Sequence, residues 1–250
     1  MQALKAGRPG ATKSKGMPAV PAPSVTERGV KTRSEAQPPP TLNEEAYRRL
    51  EELIVTLELA PGSVVSEAIL SERIGIGTTP IREALQRLAR EYLIQILPRR
   101  GVIVTGIDVR QQLQVLETRR ELDRLIARAA ARRSQQTDRQ RFADIAATMS
   151  RAVAAGDTHA FLRADGELNA ALAAAARNEI AARTVATLHS VSRCFWFFHR
   201  NDHPGAATTM RLHVAFAEAL AGGDEAVVER ASDALIDDLA AFARGTVGGM

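Results

Sequence analysis

A segment near residue 80 carries polar side chains at a spacing that suits hydrogen bonding to nucleic-acid bases. Its apolar residues recur as on one buried side of a helix, at Ile81, Ala84, Leu85 and Leu88. Thr79, Arg82 and Gln86 then fall on the opposite side. Arginine can donate two hydrogen bonds to O6 and N7 of a guanine, and threonine and glutamine can reach phosphates or other base edges. On these residues alone, a helix that merely faces water explains the pattern equally well.

A second basic feature follows in the segment Pro98-Arg99-Arg100-Gly101. Two short runs rich in β-branched residues flank it, which predicts a β-hairpin with a basic turn. Arg99 and Arg100 could contact a phosphate backbone, and Gly101 would let the turn approach a partner closely. The hairpin is therefore a second candidate contact with nucleic acid.

Three helices and this hairpin must position the polar side chains. The first helix is predicted by apolar residues at helical spacing, Leu50, Leu53, Ile54 and Leu57, before Pro61-Gly62 stops it. Ser66 is a candidate N-cap of a second helix that ends near Gly75. The third begins at residues 77–80, where Pro80 sacrifices no hydrogen bond in the first turn. This order over residues 43–106 is typical of a winged helix-turn-helix.

The remainder of the chain divides into a helical domain and an N-terminal arm. Residues 107–246 are rich in alanine and lack strand signals, with breaks at Gly156-Asp157 and at Gly222-Gly223-Asp224, and predict an all-α bundle of about six helices. Residues 1–42 combine Pro, Gly, Ser, Thr and Lys with few large apolar residues, which predicts a disordered basic arm. The arm would either add nonspecific phosphate contacts or only aid solubility.

Composition narrows the class of protein. Cys194 is the sole cysteine of 250 residues, so an intramolecular disulfide, a thiolate zinc cage and an iron–sulfur cluster are excluded. No apolar run is long enough to span a membrane and no secretory signal is present, so we expect a cytoplasmic protein without a membrane partner. The net charge is +4, but residues 1–42 hold seven Lys/Arg against two Glu. Overall basicity therefore does not establish nucleic-acid binding.

Residues 43–106 resemble the DNA-binding domain of the GntR family of bacterial transcription factors. Three strings carry the resemblance, LAPGSVVSE at 59–67, TPIREALQRL at 79–88 and PRRGVIV at 98–104. The resemblance implies that Thr79 and Arg82 contact an operator and that Gly101 lies at the wing tip. Gly77-Thr78 replaces the family's usual Ser-Arg pair, and Tyr92 replaces a usual glycine. Thr78 stays among the candidate DNA contacts, but no operator sequence carries over.

The helical part resembles the FCD effector domain of the FadR subfamily. Residues 109–123 are similar to its first helix, in which an arginine faces the effector cavity, and this role falls on Arg119. A surface pair with Asp123 at i+4 is the alternative. The resemblance implies a small organic acid as effector, with Arg119 as its carboxylate partner. The predicted pocket needs no metal and is formed by Arg119, Asn169, His189 and His213.

Many FCD domains also bind a divalent metal through an Asp-x-x-x-His pair and two later histidines. Asp165 and His213 match this pattern, but Asn169 takes the place of the first histidine and Leu235 that of the last. Asp165, Asn169 and His213 are thus the remnant of a zinc or nickel site, with fewer donors than tight binding requires. No cofactor follows with certainty from the sequence.

The sequence as a whole predicts a ligand-responsive regulator, usually a repressor in this family. It would bind a double-stranded DNA operator as a homodimer. An architectural protein that binds DNA nonspecifically through the basic arm is the alternative. We do not expect an enzyme, because the sequence has no nucleophile elbow, phosphate loop or HExxH motif.

Overall fold

The structure is a computed structural model that describes residues 41–246 of the chain. The first part consists of α1 (Leu42–Val55), β1 (Val64–Val65), α2 (Glu67–Ile74), α3 (Thr78–Arg90), β2 (Ile94–Leu97) and β3 (Gly101–Val104). The second consists of α4 (Val109–Arg133), α5 (Gln136–Ala155), α6 (Thr158–Ala176), α7 (Glu179–His199), α8 (Ala206–Gly222) and α9 (Glu225–Gly245). The predicted fold class, a winged helix-turn-helix followed by an all-α bundle, is confirmed.

Both ends of α1 differ from the prediction. The Thr41 hydroxyl accepts a hydrogen bond from the backbone N–H of Glu44, whose carboxylate accepts one from the backbone N–H of Thr41. Thr41 therefore caps α1 and Leu42 begins it, so neither belongs to the predicted arm, whose residues 1–40 lie outside the described part of the chain. The helix stops at Val55, and Leu57 has a left-handed φ of 62°. Its apolar side chain still packs against the core, which is why the spacing suggested a longer helix.

The helices α2 and α3 begin where the sequence predicts. The Ser66 hydroxyl accepts a hydrogen bond from the backbone N–H of Ile69, and Gly75 ends α2 at a left-handed φ of 74°. Gly77 precedes the first turn of α3, which contains Pro80. The buried residues of α3 are the predicted ones, Ile81, Ala84, Leu85 and Leu88.

A third strand that the sequence did not reveal completes the sheet. The order is β1-β3-β2, all antiparallel, with Val64 opposite Ile103 and Val65 opposite Val102. Two residues are too few to show the alternation by which a strand is recognised.

The bundle is organised around α4. This helix packs against α6, α7 and α9, while α5 packs against α6 and α8. The helix breaks lie at the predicted residues, because Gly156 and Gly223 adopt left-handed φ angles of 67° and 74° and end α5 and α8. Asp157 and Asp224 then cap α6 and α9 with their side chains. The buried residues of α4 include several alanines and also the polar residues Gln112, Arg119 and Asp123, so that this helix carries polar side chains in the interior.

The first part of the chain contacts the bundle through α1 and α7. On α7 the residues Cys194, Phe195, Trp196 and Phe197 are buried, which confirms core packing for most of the aromatic segment, whereas Phe198 is 43% exposed. Burial raises the pKa of the Cys194 thiol to about 12. None of the helices in residues 41–246 is both long and apolar enough to cross a membrane.

Candidate nucleic-acid interface and ligand cavity

One exposed side of α3 carries the predicted DNA contacts of that helix. Thr78 and Thr79 lie in its first turn, and Arg82 and Gln86 follow; all four side chains are exposed. The burial of the opposite face against α1 and the sheet fixes this side toward solvent. The helix can therefore enter a groove of a nucleic acid without rearranging the core.

Arg82 forms an ion pair that the sequence did not reveal. Its Nε and Nη2 atoms donate to Oε2 of Glu67, at the start of α2, over 3.1 and 2.9 Å. These hydrogen bonds raise the pKa of Arg82 above its ordinary value. The Arg82 side chain is 61% exposed, and such exposed pairs contribute little stability. Arg82 can thus exchange this carboxylate for the acceptor atoms of a base.

The wing differs from the prediction at Gly101. Leu97 pairs with Gly101 across the hairpin, so the turn consists of residues 98–100 and Arg99 and Arg100 form its exposed tip. Gly101 is the first residue of β3, with φ at 95°. A Cβ atom there would lie 2.5 Å from the carbonyl oxygen of Val65 in β1. The close approach that requires glycine is therefore to the neighbouring strand, and the expectation that Gly101 lies at the tip is corrected.

The four predicted effector contacts meet in the interior of the bundle. Arg119 on α4, Asn169 on α6, His189 on α7 and His213 on α8 line one small cavity of about 20 Å³. A neighbouring cavity of about 10 Å³ shares these four residues. Each space holds about one water molecule, since a water needs roughly 10–15 Å³ of this kind of volume. The four side chains therefore line a common space, which in this conformation is too small for a metabolite.

Arg119 lies in a buried charge cluster and not on the surface. Its Nε donates to Oδ2 of Asp123 over 3.0 Å, and Oδ1 of Asp123 lies 2.9 Å from Nε2 of His189. Both members of the Arg119–Asp123 pair are 8% exposed. Burial alone would raise the pKa of Asp123, but the charges of Arg119 and His189 outweigh it and lower the pKa to about 2. The i+4 pair therefore forms, but in the cavity wall and not on the surface, and the effector role of Arg119 stays a prediction.

A second buried cluster is centred on Arg193, which the sequence analysis missed. Arg193 Nη1 donates to Oε1 of Glu51 on α1, and its Nε lies 3.1 Å from Oδ2 of Asp165 on α6. The Ser190 hydroxyl donates to the same Glu51 oxygen over 2.8 Å. Burial would lower the pKa of Arg193, but Glu51 and Asp165 outweigh it and raise the pKa. Arg193 thus links the winged helix-turn-helix to the cavity.

The cavity also contains an unpaired donor. Trp196 lines it and is 4% exposed, and its indole N–H has no hydrogen-bond partner among the described residues. Asp165 Oδ1 lies 3.6 Å from Nε2 of His213, whose Nδ1 lies 2.8 Å from the carbonyl oxygen of Thr209. The Trp196 N–H is therefore a buried donor in the cavity wall that suits an acceptor oxygen of a ligand.

Comparison with known proteins assigns both parts of the chain. Residues 42–104 match the bacterial regulatory proteins of the gntR family, and residues 114–238, half of the chain, match the FCD domain. The chain belongs to the GntR family and has an FCD domain. The two matched families are found in transcriptional regulators and not in enzymes.

Curated relatives of this GntR-family chain are also regulators. It is 37% identical over 98 residues to the uncharacterized HTH-type transcriptional regulator YdfH of Escherichia coli O6:H1, covering 39% of this chain and 43% of the relative. It is 36% identical over 98 residues, with the same coverage, to the HTH-type transcriptional repressor RspR of Escherichia coli K12. The chain spans less than half the length of these relatives.

Two solved structures share the fold. E. coli McbR/YncC superposes with a TM-score of 0.71 at 17% identity, over 83% of this chain and 99% of that one. A GntR regulator described as putative, from Rhodococcus sp. RHA1, superposes with a TM-score of 0.63 at 18% identity, over 81% and 97% of the two chains. At these identities the likeness concerns the fold alone.

The donor set of this GntR-family chain does not fit the zinc or nickel site that the FCD resemblance implies. Leu235 cannot ligate an ion, and the Asp165 carboxylate already faces the guanidinium of Arg193. Asp165 and His213 alone are too few for a tight transition-metal site. No group of three His, Cys, Asp or Glu residues that could hold a metal occurs within residues 41–246.

One sequence signal could have revealed Arg193. His189, Arg193 and Trp196 follow the i, i+4, i+7 spacing of one helix face, and His189 was already a candidate. Nothing local pointed to Glu51, which reaches Arg193 only because α1 packs against α7.

Proposed function

We propose that this GntR-family chain is a repressor that binds its operator as a homodimer and is released by a small organic acid. The observation that carries the proposal is the exposed polar side of α3, held by a buried core within a matched GntR domain. A homodimer would present two such helices to a pseudo-palindromic operator. Repression is favoured by the similarity to RspR, which is named a repressor. Chromosomal DNA as partner would make the cytoplasm the site of action.

The proposed DNA contacts follow from the placement of each side chain. Thr78 and Thr79 lie at the N-terminus of α3, where backbone N–H groups attract phosphate. Arg82 leaves Glu67 and donates to a guanine, and Gln86 reaches a base edge one turn further along. Arg99 and Arg100 contact phosphates from the wing, while Gly101 supports them by allowing the contact with β1.

The proposed effector contacts are Arg119, Asn169, His189 and His213. They line one cavity, and their donors suit the oxygens of a carboxylate. Because the cavity is closed, effector binding requires it to open. Operator and effector binding would then be coupled reciprocally, each weakening the other by the same factor.

Selection of genomic fragments by the purified full chain, followed by sequencing, identifies the operator and tests the proposal. Gel-shift titrations should then show that Arg82→Ala weakens operator binding by on the order of 10- to 100-fold, the value of a bidentate base contact. Arg183→Ala is the matched control, because Arg183 is an exposed arginine at the start of α7 and its side chain is 79% exposed. An unchanged affinity of Arg82→Ala would contradict the role of α3.

The alternative of an architectural protein predicts a different result. Binding without sequence preference, lost at about 0.15 M salt or on deletion of residues 1–40, would refute sequence-specific regulation. Sedimentation analysis that gave only monomers with and without operator DNA would refute the homodimer.

A further inference from the structure

A groove much larger than the closed cavity lies between α1 of the winged helix-turn-helix and the bundle. We define this interdomain groove by Arg48 and Glu51 on α1, Arg163 and Ala173 on α6, and Val185 and Ala186 on α7. Its volume is about 490 Å³, against about 20 Å³ for the cavity. Small-molecule sites occupy roughly 300–1,000 Å³. The groove can therefore admit a metabolite that the cavity cannot.

The lining of the interdomain groove combines an apolar floor with a basic edge. The floor consists of small and aliphatic side chains of α6 and α7, including Ala173, Val185 and Ala186. Five arginines line the groove against three glutamates, which leaves an excess of positive charge. Arg141 forms no ion pair with any other described residue, and Arg163 forms only a long one, 3.8 Å from Glu52. An amphipathic organic anion, with one acidic group and an apolar body, matches this surface.

The groove and the cavity meet at a shared wall. Asn169, His189 and Arg193 line both spaces. An acidic group at the inner end of the groove would therefore face Arg193, whose guanidinium now binds Glu51. Glu51 is only 9% exposed, so its carboxylate is costly to leave without a partner.

We propose that the interdomain groove binds an amphipathic organic anion, whose acidic group competes with Glu51 for Arg193. This rests on the proposed function, in which an organic acid modulates operator binding through the cavity contacts. It adds the groove beside the cavity as the place of the ligand's apolar body and Arg193 as the coupling residue. When the acidic group of the ligand pairs with Arg193, Glu51 loses its ion-pair partner. The Glu51 carboxylate then turns toward solvent, and α1 moves with it. Because α1 packs against α3, the DNA-reading helix moves with it.

Anilinonaphthalene sulfonate is a suitable probe, because it is an amphipathic anion that fluoresces in apolar sites. The full chain should bind it saturably, as measured by the probe's own fluorescence. Energy transfer from Trp196, the sole tryptophan and a neighbour of Arg193 in the cavity wall, is a second readout for the wild-type chain and for variants that add no tryptophan. Ala186→Trp fills the groove and should weaken probe binding by about tenfold or more, as should Arg163→Ala to a smaller extent, about threefold. Arg183→Ala, an exposed arginine of α7 that does not line the groove, should bind the probe normally.

The competition has its own test. Glu51→Gln removes the charge that competes with the probe for Arg193, and this variant should bind the probe about three- to tenfold more tightly than the wild-type chain. Unchanged or weaker probe binding by Glu51→Gln, with circular dichroism showing native helix content, would overturn the competition. Probe binding that Ala186→Trp leaves unaffected would overturn the site. If Ala186→Trp converted a dimer to monomers, the groove would be a subunit interface. That result would also overturn the proposed ligand site.

Operator titrations on the same samples separate this inference from the proposed function. If the wild-type chain selects an operator but saturating probe leaves that affinity unchanged, the coupling through Glu51 is wrong while DNA-binding regulation stands. If no operator is selected although the probe binds as expected, the proposed function fails and the groove stands as a ligand site.

Discussion

Replacing Asp123 with asparagine tests whether the cavity wall is held by charge. Asp123→Asn keeps the shape of the side chain and one acceptor oxygen, but it removes the negative charge that faces Arg119 and His189. Arg119 then remains buried without its ion-pair partner. We expect a stability loss that depends on pH in a defined way.

The magnitude follows from the pKa of Asp123. The pKa falls from 3.8 to about 2 on folding, and each unit of difference corresponds to about 1.4 kcal/mol. The carboxylate therefore stabilises the native state by about 2 kcal/mol at any pH well above 3.8. Because the folded pKa is the lower one, this contribution is lost as the pH falls toward 2, and only about 1 kcal/mol of it remains at pH 3.

Urea unfolding followed by circular dichroism at pH 7, 5, 4 and 3 measures the effect. The free energy of unfolding should be about 2 kcal/mol lower for Asp123→Asn than for the wild-type chain at pH 7 and 5, and the difference should narrow at pH 3. Asp237→Asn is the control, because this carboxylate also pairs with an α4 arginine but is 68% exposed, and it should cost little at any pH. A difference of the same size at all four pH values would refute the argument from charge.

Three further predictions concern the wing, a strained turn and the thiol. Gly101→Ala should lower the free energy of unfolding by about 2 kcal/mol or more, because its φ is 95° and the new Cβ would overlap the Val65 carbonyl; an unchanged urea midpoint would contradict this. Tyr92→Gly should raise the thermal midpoint, because Tyr92 has a left-handed φ of 63°, and a lower midpoint would show that its side chain contributes more than the strain costs. Cys194 should not react with a thiol reagent at pH 8 until the chain is unfolded, because burial raises its pKa to about 12; rapid reaction of the folded chain would refute this.

Local physics explains what could be predicted of the fold. The buried face of α3 follows from periodicity, and the start of α2 follows from Ser66. The ends of α5 and α8 follow from Gly156 and Gly223, and the starts of α6 and α9 follow from the capping residues beside them. Each of these signals lies within a few residues of the feature it determines. The predicted end of α1 was wrong because the apolar spacing continues to Leu57, whereas the backbone of Leu57 is no longer helical.

The candidate sites were less accessible to sequence reasoning because their contacts are long-range. Arg119 and Asp123 are one turn apart, so their pairing was predictable, but their burial depends on how α6, α7 and α9 pack against α4. Glu51 and Arg193 are 142 positions apart, and neither residue has a neighbour in sequence that predicts the pair. The need for glycine at Gly101 comes from β1, a strand too short to recognise.

The position of Arg193 between Glu51 and Asp165 has a consequence for building hybrid regulators. If the FCD domain of this chain were joined to the winged helix-turn-helix of another regulator, an apolar residue at the position of Glu51 would leave Arg193 with one acidic partner instead of two. Conversely, this winged helix-turn-helix on a foreign bundle would bring the Glu51 carboxylate, which is buried in this chain, against a surface with no matching guanidinium. A functional hybrid should therefore keep both Glu51 and Arg193. An exchange of the FCD domain must include one side chain of the winged helix-turn-helix.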